Sequence, residues 1–187
     1  MVFGGGPVTA AVSRQEEVTT TILPYDIGCE PSPSAPAETL LQDGWKTYLL
    51  FFAVSKTIEE TGYLKDLGVA IVECVNCSSA KIGYPNDEGL PEHSLWIHGL
   101  SDIESSISVV GCSSWLAEIR DQRERSAKRI WGNRGMTWTP DSDLDKHFVV
   151  TLKEATFECI AEELTVVEYV RDYDTAFAYV ISEFKKH

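Results

Sequence analysis

The sequence predicts an α+β domain: a mostly antiparallel sheet of five or six strands, with two helices packed on one face. Three stretches carry that prediction. Tyr48-Leu49-Leu50-Phe51-Phe52-Ala53-Val54 is an unbroken apolar run of strand length, the pattern of a strand covered on both faces. Residues 147–161 read as a hairpin, with Phe148, Val150 and Leu152 on one face of the first arm and Phe157, Cys159 and Ala161 on one face of the second. Tyr173, Ala176, Phe177, Val180, Ile181 and Phe184 recur at the spacing of one helix face.

Taken in order, residues 1–37 are rich in Gly, Pro, Ser and Thr. They read as a flexible arm, or as an edge strand where β-branched residues concentrate between Val18 and Leu23. Residues 38–187 then form a single α+β domain, with one or two helical turns expected over Ala37–Asp43. Tyr48–Val54 is the first central strand. Ser55–Gly62 is polar and reads as a connection or a short helix, and Val69-Ala70-Ile71-Val72 opens a second buried strand. Ile103–Val110 alternates loosely as a third strand, which Gly111 ends. Ser113 or Ser114 then caps a helix from Trp115 to about Arg129, since a serine hydroxyl satisfies a free N–H of the first turn. The far half of that helix carries Arg120, Arg123, Arg125, Lys128 and Arg129, cations suited to a helix C-terminus. Residues 132–145 are a polar loop. After the hairpin, Leu164–Val170 continues as a strand, and Asp172 caps the last helix.

The chain has 187 residues, 16 of them basic and 29 acidic, for a formal charge of −13. That sign repels nucleic acid and anionic membranes, so neither is an expected partner. No apolar run approaches the length of a membrane span, and the N-terminus lacks a secretory leader's basic and apolar regions. The five cysteines are an odd set at uneven spacing, unlike a disulfide framework. The expected setting is reducing and cytoplasmic.

The chemistry-bearing residues concentrate between Cys74 and His98. Cys77, Glu88 and His93 are the candidate catalytic set, because a thiol needs a neighbouring base and a carboxyl beside Asp87 resists ionisation. Tyr84, Asn86, Asp87 and His98 are candidate binding residues on the same loop. His147 and Glu158 join them from the non-core face of the hairpin. No metal or cofactor is assigned. The spacing of Cys74, Cys77, His93 and His98 also admits zinc, but Pro91 and Gly89 interrupt the helix on which a zinc finger places its histidines.

These residues predict a small-molecule-binding protein, one that as an enzyme would draw acid/base or thiol chemistry from the 77–98 loop. The alternative is an acidic, non-enzymatic interaction module of inhibitor or immunity type that binds a basic protein through long-range attraction.

Overall fold

The central apolar run needs cover on both faces, and the fold supplies a sheet on one side and a helix on the other. The structure is a computed structural model and describes residues 19–60, 62–103, 105–131 and 144–186. Among these residues, ten strands form two antiparallel five-stranded sheets, accompanied by two α-helices.

The first sheet has the order β1-β7-β8-β9-β6, from β1 (Thr21–Pro24), β7 (Ile107–Gly111), β8 (Lys146–Thr151), β9 (Thr156–Ala161) and β6 (Ser79–Gly83). The second has β10 (Glu163–Val170), β5 (Leu64–Val75) and β4 (Thr47–Ile58) side by side. The short strands β2 (Glu30–Pro31) and β3 (Thr39–Gln42) share the outer edge of β4, pairing with different parts of it.

The inner faces of the two sheets pack on each other. Leu49, Phe51, Ala70 and Val72 of the second sheet meet Ile107, Phe148, Val150 and Phe157 of the first in one buried cluster. The alternate residues of β4 and β5 (Tyr48, Leu50, Val69 and Ile71) turn the other way, against Ala176 and Val180 of α2 (Tyr173–Phe184). Burial on both faces explains why Tyr48–Val54 shows no polar alternation. Asp172 caps α2 by accepting the Thr175 N–H at 2.9 Å.

The α+β class, the antiparallel pairing and the 147–161 hairpin agree with the sequence reading. Four details differ. The strands divide between two sheets, because alternation marks an inward face without saying whether a helix or a second sheet covers it. α1 (Ser114–Trp131) lies against β8 of the first sheet, whereas α2 lies against β5 and β10 of the second. Residues 39–42, expected as helical turns, form β3, with Leu40 packed in the inter-sheet core and Leu41 in the cluster under α2. That is the two-residue period of a strand. Residues 55–58 extend β4 rather than forming a connection, and the Ser55 hydroxyl accepts the Lys65 N–H across the pair at 2.9 Å.

Thr21–Pro24 pairs with β7 at the edge of the first sheet, while residues 1–18 and the 132–143 part of the expected polar loop lie outside the described residues. Among the described residues, no helix is long and apolar enough to cross a membrane.

Candidate functional site

The outer face of the first sheet carries polar groups that its register brings together. In the β6–β9 pair, Lys81 stands directly opposite Glu158. In the β8–β9 pair, Glu158 faces Val149, so His147 lies on the diagonal, still within reach of a long side chain. His147 in turn faces Val110 of β7, one residue before that strand ends at Gly111. Cys112 then takes a left-handed conformation at φ 54°, an uncommon one for a residue with a side chain. This turn sets Ser113 at the head of α1, beside His147.

Ser113 caps the helix: its Oγ accepts the Leu116 N–H at 3.0 Å, and its carbonyl accepts the Ala117 N–H at 3.1 Å. The same Oγ lies 2.8 Å from His147 Nδ1, and His147 Nε2 lies 2.9 Å from Glu158 Oε2. An ionised carboxylate only accepts, so the proton on His147 is assigned to Nε2, and Nδ1 is left to accept the serine hydroxyl. The polar chain thus runs in one direction, from the Leu116 N–H through Ser113 and His147 to Glu158.

His93 repeats the arrangement. Its Nδ1 accepts the Leu95 N–H at 3.2 Å, which leaves Nε2 as the donor to Glu158 Oε1 at 3.3 Å. Lys81 Nζ reaches the same oxygen at 2.7 Å and lies 4.6 Å from the centre of the Trp115 ring. The Trp115 ring meets that of His147 edge-on, with centroids 5.1 Å apart. Ser113, His147, His93 and Glu158 are all buried. Burial pushes the Glu158 carboxyl up. The hydrogen bonds from His147, His93 and Lys81 together outweigh burial and hold it well below the usual carboxylate range.

A cavity of about 150 Å³ opens onto this chain, with Ser94, Leu95, His98, Ser114 and Trp115 around it. Farther along α1, Arg123 binds Asp145 at 2.5 Å and Arg120 reaches the Asp145 carbonyl at 3.4 Å. These contacts tie the helix to the residue just before β8.

The site gathers four of the residues singled out in the sequence: His93, His98, His147 and Glu158. The others go elsewhere. Cys77 is packed against the inter-sheet core and its thiol donates to the Ser79 carbonyl at 3.3 Å. Glu88 is exposed and lines a separate cleft with Leu90 and Trp96. Asp87 pairs with Lys153 at 2.6 Å, Tyr84 donates to Glu92 at 2.6 Å, and Asn86 accepts the Gly89 N–H at 3.0 Å as a turn residue.

The zinc spacing does not close into a site. Cys74 is buried between the sheets, whereas His93 meets Glu158 on the outer face, and the described residues contain no group of three or more ligating side chains placed for a metal.

Sequence reasoning took Ser113 as a cap and missed it as a partner of His147; it also missed Lys81 and Trp115. The available signal was Gly111-Cys112-Ser113-Ser114 between a strand and a helix, together with a histidine and a glutamate at alternate positions of paired strands. Compared with known protein families, curated proteins and solved structures, the chain matches none.

Proposed function

We propose that the protein is a serine-dependent acyl-transfer enzyme, a hydrolase of a small polar substrate, with Ser113 as nucleophile, His147 as general base and Glu158 as the group that orients the base. The observation that carries this reading is the continuous chain Ser113 Oγ–His147 Nδ1 at 2.8 Å and His147 Nε2–Glu158 Oε2 at 2.9 Å, opening on a cavity. Nucleophile, base and orienting carboxylate in mutual hydrogen-bond reach are recognised by geometry and not by chain order.

In the proposed reaction Ser113 Oγ bonds to the acyl carbon while its proton passes to His147 Nδ1. The imidazolium is then held by the Glu158 carboxylate, which stays ionised because three donors serve it. The oxyanion forms beside the first turn of α1, where the N–H groups of Ser114 and Trp115 have no intrahelical acceptor. His147 returns the proton to the leaving group, and water repeats the cycle to release the acid. The cavity is below the roughly 300 Å³ where drug-sized ligands sit, so it suits a short acyl group.

The test is labelling of the full chain with a fluorophosphonate, followed by hydrolysis of p-nitrophenyl acetate. The expected result is a single adduct on Ser113, lost in Ser113→Ala and in His147→Gln. An adduct that survives in Ser113→Ala, or no adduct at all, overturns the reading and leaves Ser113 as a helix cap.

A further inference from the structure

The cleft that Glu88 lines takes no part in the acyl-transfer chain. One segment, residues 90–102, stands between the two cavities. Ser94, Leu95 and His98 line the acyl-transfer cavity, whereas Leu90, Pro91, Trp96 and Leu100 line the cleft. The segment is built from three short helical turns, Leu90–Glu92, Trp96–His98 and Leu100–Asp102. The Trp96 N–H donates to the His93 carbonyl at 2.9 Å and the Leu100 N–H to the Leu95 carbonyl at 3.4 Å, which fastens one turn to the next. Leu100 is buried with Val149 of β8, and Leu90 packs against that cluster, so the cleft is anchored on the outer face of the first sheet.

The cleft has a volume of about 350 Å³, at the lower end of the roughly 300–1,000 Å³ of small-molecule sites. Its apolar wall is Leu90, Pro91, Trp96, Leu100 and Ile103. Among the described residues, the charged groups lining it are Asp87 and Glu88, both acidic. Asp87 is neutralised by Lys153, with Oδ2 2.6 Å from Nζ. Glu88 has no ion pair among the described residues, so its charge stays uncompensated at the cleft.

The hydroxyls of the cleft present the same polarity. A serine or threonine has one O–H to donate and two lone pairs that accept. Ser101 donates to Asp102 Oδ1 at 2.9 Å, Ser105 to Glu30 Oε1 at 2.9 Å, and Thr151 to the Ser106 carbonyl at 3.3 Å. With these protons committed to the protein, the three hydroxyls offer a ligand only lone pairs. Ser105 spends one of its own on the Ile107 N–H at 3.3 Å and keeps the other. Of the hydroxyls lining the cleft among the described residues, Ser106 alone keeps its proton to donate.

From this surplus of acceptors beside an apolar wall we propose that the cleft binds a small organic ammonium ion with an apolar body, of the aryl-ethylamine kind. An ammonium carries N–H donors and no acceptor, so it matches the Glu88 carboxylate and the hydroxyl lone pairs. The apolar body covers Leu90, Leu100 and Ile103, and the Trp96 ring adds the attraction of an indole for a cation. An anion of the same shape meets two carboxylates and no lining cation, so the cleft selects against it. The formal charge of −13 acts in the same sense at longer range. The two cavities share no lining residue, so this site stands whether or not Ser113 is a nucleophile.

The experiment titrates the full chain with phenethylamine, phenethyl alcohol and phenylacetate while NMR follows the Trp96 indole N–H, whose cross-peak is identified by its loss in Trp96→Phe. Phenethylamine should shift the peak saturably. The alcohol keeps the ring and loses the charge, so it should bind at least about fivefold more weakly, and phenylacetate more weakly still. Glu88→Gln should bring the amine down to the affinity of the alcohol. Glu88 is exposed, so that variant should keep the wild-type Tm and its loss of selectivity is read on a folded chain. Ser113→Ala should bind the amine as the wild-type chain does. An alcohol or carboxylate bound as tightly as the amine, an amine-to-alcohol ratio unchanged in Glu88→Gln, or no saturable shift with millimolar amine overturns the proposal. So does a shift lost in Ser113→Ala, which would place the amine in the acyl-transfer cavity instead.

Discussion

Lys81 and Glu158 face each other across the β6–β9 pair, Nζ 2.7 Å from Oε1, with the lysine exposed to solvent and the carboxylate buried. The pair gives a buried negative charge a cationic partner at the rim of the cavity. Glu158 therefore remains ionised while both of its oxygens also serve histidines. An exposed lysine alone contributes little, so the depressed acidity of Glu158 rests on the three donors acting together.

That depression makes stability depend on pH with a definite sign. The folded carboxyl lies below its unfolded value of about 4.3, so its contribution is complete above that value and is lost as pH falls through the folded value. The wild-type chain should exceed Glu158→Gln in stability by a constant margin above about pH 5, and the margin should shrink steadily on acidification below about 4.3. Denaturant midpoints of both chains measured from pH 7 to pH 3 test this. A margin that does not change with pH would show that the three donors do not hold the carboxylate.

Ser113 has a structural duty that is separable from any chemistry. Its hydroxyl caps α1, so Ser113→Ala should cost about 1 kcal/mol. For a chain of this size that lowers Tm by roughly 2–4 °C. Ser113→Thr keeps an oxygen for the Leu116 N–H and should recover most of the loss. Calorimetry on the three chains checks it; a Tm identical in Ala and Ser would remove the capping role.

Gly68 tests how tightly β5 and β10 are joined. Its φ is 83°, and a Cβ there would lie 2.3 Å from the Val170 carbonyl oxygen. Strained backbone and collision with backbone act in the same direction, because neither partner is a flexible side chain. Gly68→Ala should destabilise by at least about 2 kcal/mol. Urea denaturation reads it directly, and a loss under about 0.5 kcal/mol, the size of an ordinary surface change, would contradict the geometry.

The sequence made the hairpin and α2 legible because each buries one face at a fixed period: Phe148, Val150 and Leu152 in the strand, Ala176 and Val180 in the helix. Two sheets were not legible, since the apolar residues of β4 are the same whether a helix or a sheet lies above them. Much of the site was present as residue types. His93, His147 and Glu158 were singled out, but the loop that supplied the chemistry-rich stretch contributed only His93 and His98. Cys77 turned into the core, and Asp87, Asn86 and Tyr84 were taken by local partners. Ser113 was hidden by its own capping pattern. A cap and a nucleophile share residue type and position, and only the 2.8 Å approach of His147 distinguishes them.

Tyr173 opens α2 with its hydroxyl buried and without a hydrogen-bond partner among the described residues, while its ring packs edge-on against Phe52 at 5.2 Å. Burial pushes its phenol up, and Glu38 adds to the effect. A buried hydroxyl without a partner loses its hydration and gains nothing in exchange. Tyr173→Phe keeps the ring contact and removes only the oxygen. The substitution should stabilise the fold by about 1 kcal/mol and raise Tm by roughly 2–4 °C. Thermal unfolding of the two chains decides it. A lower Tm in the phenylalanine chain would mean that the hydroxyl has a partner in solution, and that the head of α2 is held by a polar contact as well as by the packing of Ala176 and Val180 on the sheet.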